Sequence, residues 1–422
     1  MQRKSWFVSL LLVSFAGIAD AEEAAKPRTD AKEATKGEAD EPPCCGEAAE
    51  PCCDASATGD EAKVSIHGTV EAAWGYNLND PSNHINNFRY YDARHNLPGL
   101  QGAALTTDFE KGGVKGRIQL QLGVLAEMFW GPVRSTEQDL MWRLLQEVTT
   151  EWQTPIEGLA LEGGVFNVPF GPEYNLAYQN WNWSTSNMFA IMPYQVAGAR
   201  MNYALAKGWV ARLGVYNGWD QIVTDNNSGK SPMLSLEWTD PNDEENYFVL
   251  NYMAGNERDK GDTRGPWWRH TLDLYAQWHA TERWFVRGHV FAGLEPTRSS
   301  TNDGWLGAVL FSKFDATDAF SLSGRADLLK VNSGEGGQNL FHASFLTDPT
   351  LSTQVVSGTL TADFHPRQNA SLRLEVRHDR ADFPLYFGGQ VERVKNDDGS
   401  LGDDIATERQ QTTVTVGLVT WF

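Results

Sequence analysis

The chain has 422 residues, a formal net charge of −20, 41% hydrophobic residues, 16 Trp, 39 Gly and four Cys. That acidity argues against nucleic acid as a partner, which requires a basic surface. A mean hydropathy of −0.43 without a long apolar run beyond the N-terminus excludes a helical membrane protein, but not a barrel of alternating strands.

Arg3 and Lys4 precede the apolar run "SWFVSLLLVSFAGIA", and Ala19–Asp20–Ala21 offers a small-x-small cleavage site. The pattern predicts a signal peptide over 1–21. The run, roughly 12–14 residues, is short for a membrane-spanning helix, which needs about 20; an uncleaved anchor is the alternative. Residues 22–62 hold twelve acidic and four basic residues and no aromatic side chain. They cannot bury enough apolar surface to offset ordering entropy, so a disordered acidic periplasmic leader is expected. Its paired cysteines, Cys44, Cys45, Cys52 and Cys53, suit local disulfides outside the cytoplasm. A four-thiolate site for a soft metal is the other reading. No cofactor is expected.

From Lys63 the side chains alternate. In "KVSIHGTVEAAWGY", Val64, Ile66, Val70 and Trp74 share one parity, with Ser65, His67, Thr69 and Glu71 on the other. In "ASLRLEVRHD", Leu372, Leu374 and Val376 oppose Arg373, Glu375, Arg377 and Asp379. Period 2 marks strands with one apolar face. About sixteen such segments are expected, near 63–76, 101–110, 113–124, 143–152, 158–167, 194–203, 208–217, 231–239, 246–255, 267–279, 283–294, 303–314, 318–331, 352–365, 368–380 and 409–422.

Short links such as "EKGG", "QTPIEG", "ALAKG", "ATE" and "HPRQN" alternate with long ones, including 77–100, 125–142, 168–193, 332–351 and 381–408. Aromatics flank the short links: Phe109, Trp152, Tyr203, Trp209, Trp238, Tyr247, Trp278, Trp284, Phe314, Phe320 and Phe364. Strict alternation with an aromatic girdle on one side predicts an all-β, transmembrane, antiparallel up-and-down β-barrel, with short periplasmic turns and long extracellular loops.

A barrel of this size leaves a lumen. Its pore-lining candidates, from the polar parity, are Lys115, Arg117, Glu147, Glu151, Glu162, Arg200, Arg212, Asp273, Arg287, Arg325, Asp327, Arg373, Glu375 and Arg377. Each can instead be a cross-strand charge pair holding the wall, and the mixed signs leave ion preference open. The segment 166–195, "FNVPFGPEYNLAYQNWNWSTSNMFAIMPYQ", is aromatic and uncharged apart from Glu173. It suits an inward constriction or an external cap.

The stretch 181–231 resembles the β-barrel porins related to OmpL, through "NWNWSTS", "MPYQVAGARMNYAL" and "LGVYNGWDQIVTDNNSGKS". "IHGTVEAAWGYNLNDP" and "GVFNVPFGPE" look alike in the same way. The resemblance covers most of 63–422 and implies an outer-membrane channel with no catalytic residues. The last strand, "QQTTVTVGLVTWF", resembles the terminal signal by which the barrel-insertion machinery reads a final Phe, here Phe422.

Passive diffusion of small hydrophilic solutes or ions is therefore expected, in outer-membrane lipid, with further copies of the chain and a periplasmic partner of the leader as potential associates. One alternative is a sleeve around a periplasmic electron carrier, although the chain has no C-x-x-C-H site of its own. Another is a hydrolase. His67, His279, His289 and "FHAS" at 341–344 offer histidines for one, without a recognisable catalytic constellation.

Overall fold

The computed structural model describes residues 61–89, 92–124, 126, 142, 144–223, 225–262, 265–297, 302–332, 353–395 and 401–422. The signal-peptide and cysteine readings fall outside these residues, as do nearly all of the leader and most of loops 125–142 and 332–351.

The strands are β1 (Lys63–Asn77), β2 (Gly99–Lys111), β3 (Val114–Leu122), β4 (Leu145–Gln153), β5 (Leu159–Asn167), β6 (Gln195–Ala206), β7 (Trp209–Tyr216), β8 (Ser231–Asp240) and β9 (Asp243–Gly255). They continue as β10 (Arg269–Thr281), β11 (Trp284–Glu295), β12 (Asp303–Thr317), β13 (Phe320–Asn332), β14 (Thr353–Arg367), β15 (Ala370–Ala381), β16 (Arg393–Lys395), β17 (Leu401–Asp404) and β18 (Gln410–Trp421). β1–β15 and β18 form one closed antiparallel barrel of sixteen strands. β16 and β17 make a small separate hairpin in the last long loop.

Closure is direct. β18 pairs with β15 on one side and β1 on the other, from Thr69 opposite Trp421 to Asn77 opposite Thr413. Phe422 exchanges backbone hydrogen bonds with Gly68 at 3.0 and 3.1 Å. Its ring lies over that glycine, where an added Cβ would stand 2.4 Å from the ring. No sheet edge is left bare to lipid.

The burial pattern is inside-out. Leucines and valines of the apolar parity face outward, with Leu360 71% exposed, whereas the polar partner Glu375 is 1% exposed. A lipid environment reverses the usual preference, so this arrangement suits a membrane and no aqueous exterior. Seven short turns close one rim; Lys111–Gly112–Gly113–Val114 uses two glycines at φ 59° and 77°, the left-handed pair that a tight hairpin requires. Beside these turns Phe109, Trp152, Tyr203, Trp278, Trp284, Phe314 and Phe364 are exposed in a girdle. Tyr247 departs from the girdle. It shares the inward parity of Val249 and Asn251 and meets Tyr275 edge-on inside the barrel. Among the described residues no helix is long and apolar enough to cross a membrane.

Candidate functional site

The segment between β5 and β6 lies inside the barrel, as a constriction and not as an external cap. Its backbone has no strand ladder, so its amides and carbonyls need other partners. The wall supplies them as charges. Asp273 on β10 accepts from Gly171 N at 3.3 Å, and Glu71 on β1 accepts from Ala177 N at 2.6 Å. Glu375 on β15 accepts from Trp183 N at 2.6 Å, Ser184 N at 3.0 Å and Thr361 Oγ1 at 2.7 Å. Asp327 on β13 accepts from Asn187 N at 3.2 Å.

Guanidinium groups hold the carbonyls. Arg373 donates to Ala177 O at 2.6 Å, Arg287 to Pro172 O at 2.9 Å, and Arg325 to Thr185 O at 3.0 Å. Arg325 also donates to Ser184 O, and Arg377 to Thr185 O. Glu173, the single charge of the loop, accepts from Ser186 N at 2.8 Å and pairs with Arg325 at 3.3 Å. Charge-assisted bonds of this kind are among the strongest available to a loop backbone.

The other side of the loop is apolar. Phe170, Met188, Phe189, Ile191 and Met192 pack with Phe291, Trp305, Val309, Phe311, Leu329 and Val331 on the inner wall. Two glycines make room for this approach. A Cβ at Gly307 would lie 2.0 Å from the Met188 sulfur, and one at Gly417 would lie 2.3 Å from the Trp183 ring. Gly417 thus sits on the inward parity of β18 to admit an indole.

All fourteen candidates point inward, but the loop and their partners bury most of them. Glu147, Glu162, Arg200, Arg212, Asp273, Arg287, Arg325, Asp327, Arg373, Glu375 and Arg377 are buried; Arg117 and Glu151 are half-buried, and Lys115 is exposed. Arg200 pairs with Glu162 at 2.6 Å, Arg212 with Glu237, Arg377 with Asp379 at 2.7 Å, and Arg117 with Asp108 at 2.7 Å. Sequence reasoning missed the apolar inner patch. The signal was available: "WLGAVLF" in β12 and "LLKV" in β13 are apolar on both parities, the mark of strands covered on both faces.

Water reaches the side of the loop toward the short turns. Tyr174, Tyr178, Gln179 and Trp181 are half-buried there. A cavity of about 90 Å³ separates Tyr174, Asn175 and Tyr178 from His67, Thr106, Arg117 and Gln119 of β1–β3. Tyr178 stacks on Trp421 at 5.4 Å. At the opposite rim, loop 77–98 crosses inward, with Arg89 on Asp379 at 2.7 Å and on Thr413 at 3.0 Å.

Among solved structures, the barrel is similar to an anion-selective porin from Comamonas acidovorans (10% identity, TM-score 0.51, covering 86% of this chain and 100% of that one). It is similar to the outer membrane channel DcaP of Acinetobacter baumannii (11%, TM-score 0.52, 87% and 99%) and to OmpF of Salmonella typhi (11%, TM-score 0.53, 86% and 98%). A comparison with curated proteins gives no match. Residues 63–422 match the family described as "Putative beta-barrel porin-2, OmpL-like". The chain therefore belongs to the OmpL-like β-barrel porins, channels of the outer membrane for passive diffusion.

Proposed function

We propose that the solute path runs between the inward loop and the wall formed by β1–β4, where Lys115, Arg117 and Glu151 remain open to water. The observation that carries this reading is the cavity between Tyr174–Tyr178 and His67–Arg117, on the wall opposite the apolar packing of Met188 and Phe189. A path this narrow suits ions and small hydrophilic solutes. Of the other charged candidates, Asp273, Arg287, Arg325, Asp327, Arg373, Glu375 and Arg377 hold the loop in place, whereas Arg200–Glu162 and Arg212–Glu237 are pairs within the wall.

The chain acts without catalysing a reaction. Its buried His–carboxylate pair, His289 and Asp273 at 2.6 Å, is fully enclosed, and Asp273 is spent on Gly171 and Asn251 of the loop and wall. "FHAS" lies outside the described residues. Residues 1–21 are removed on export, and the cysteine-bearing leader faces the periplasm beside the short turns, where β1 begins. Association with further copies of the chain is supported by OmpT of Vibrio cholerae, a similar barrel known in a trimer form.

Liposome swelling with solutes of graded size tests the path. Swelling should proceed with the smallest sugars and amino acids and fall steeply with solute size. Replacing Lys115 and Arg117 should change that cutoff, and replacing outward Leu360 should not. Equal rates for small and large solutes would refute a path narrowed by the loop.

A further inference from the structure

The lipid-facing side of the barrel is not uniform. Over β9–β13 it carries a groove of about 530 Å³. Its floor is Ala276, Gly288, Ala308 and Ala326, small residues of the outward parity, and Leu274, Val290 and Leu310 stand around them. A Cβ added at Gly288 would meet nothing within 4 Å, so among the described residues no side chain fills that point. A depression in a wall of leucine and valine fits an acyl chain, whose CH2 groups gain packing contacts there.

Leu328 lines one end of the groove, and the next outward residue on β13 is Lys330. Leu328 pairs with Val356 on β14, and Val356 pairs with Arg380 on β15. Above the aromatic girdle, Lys330 and Arg380 are the two Lys or Arg side chains that the described barrel strands turn toward lipid, and both are exposed. Among the described residues neither has a carboxylate partner. Asp382, two residues beyond Arg380, accepts instead from Thr353 Oγ1 and Gln354 N, each at 3.0 Å.

The height of the two cations follows from the register. Leu322 lies opposite the girdle residue Phe314, and Leu372 opposite Phe364. From those leucines to Lys330 and Arg380 the tilted strands climb roughly 20 Å. Both cations therefore stand near the outer edge of an apolar band about 25 Å tall, at the depth of lipid headgroups on the side of the long loops. Their Cα positions are roughly 12 Å apart across β14, so two long side chains can reach one headgroup. Two unpaired cations match the nearly two negative charges of a phosphate monoester.

We propose that this outer face binds one lipid of the outer leaflet whose headgroup carries a phosphate monoester. Lys330 and Arg380 hold the phosphate, and an acyl chain lies in the groove beside Leu328. The site is outside the lumen, so it is independent of the solute path and of conduction.

Native mass spectrometry of the folded, delipidated protein in detergent tests the site with diphosphoryl lipid A, phosphatidylglycerol and phosphatidylethanolamine. One lipid A should stay bound per barrel, at least about ten-fold tighter than zwitterionic phosphatidylethanolamine. It should also bind tighter than phosphatidylglycerol, which bears a single charge. Replacing both cations, Lys330→Gln with Arg380→Gln, should weaken lipid A at least about ten-fold and leave phosphatidylethanolamine unchanged. Gly288→Leu, whose side chain enters open space, should weaken lipid A while the barrel keeps its heat-modifiable migration. Equal retention of lipid A and phosphatidylethanolamine by the unaltered protein would overturn the inference, and so would lipid A binding untouched by these variants. Inorganic phosphate retained as tightly as lipid A would show a headgroup site without the groove and overturn it as well. A Gly288→Leu protein that loses a dimer or trimer mass but keeps its lipid would give the groove to a second copy of the chain, against the inference.

Discussion

Glu375→Ala is the sharpest perturbation of the inward loop. The carboxylate accepts from two loop amides and from Thr361, and all three donors are in buried residues. A hydrogen bond to a charged group contributes about 1.5–3 kcal/mol, and a buried donor left unpaired costs about 1–3 kcal/mol. Removing the acceptor should therefore destabilise the loop around Trp183–Ser184 by about 3–5 kcal/mol. The wall should persist, because β15 keeps its backbone pairing to β14 and β18. The first half of the loop keeps its bonds to Asp273 and Glu71, and its far end keeps the bond from Tyr194 N to Asp220. The expected outcome is faster amide exchange at Trp183 and Ser184, with larger and noisier single-channel steps from a barrel that still shows heat-modifiable migration. Glu375→Gln retains one carbonyl acceptor and should give a smaller change in the same direction. Unaltered exchange and unaltered steps in Glu375→Ala would refute the account of how the loop is held.

Two further outcomes follow from the geometry. Gly417→Ala places a methyl 2.3 Å from the Trp183 ring, which should shift the near-ultraviolet circular dichroism and cost about 1–3 kcal/mol of local stability; an unchanged spectrum would count against the indole seat. Burial pushes the Asp220 carboxyl up to about 7, against the amides of Tyr194 and Gln195, which favour its charged form. A raised carboxyl holds its proton better folded than unfolded, so its contribution is full below the unfolded value near 4 and is lost as pH rises toward 7. Protection factors of the Tyr194 and Gln195 amides should fall across that window and become flat in Asp220→Asn.

Period-2 patterning made the barrel legible because a lipid-facing wall forces strict alternation. Val416, Leu418, Leu372 and Leu374 all lie on the parity expected, and the sixteen barrel strands follow the expected segments to within a few residues. The family resemblance rested on loop and strand-end residues such as Asn217–Gly218–Trp219–Asp220. What fills the lumen was less legible. Whether "NWNWSTS" folds inward depends on partners as distant as Glu375 and Arg325, which no local pattern links to it. Tyr247 was placed in the girdle because proximity to a turn does not fix which face an aromatic takes; its parity with Asn251 would have placed it inside. The small hairpin of β16 and β17 stayed unread because three and four residues are too short for a period to register.

Reconstitution of the purified, folded chain in a planar lipid bilayer tests the central claim most directly. The account predicts stepwise, ohmic increments of current, each from one inserted barrel. Folded, heat-modifiable protein that inserts and yet yields no current steps would contradict it.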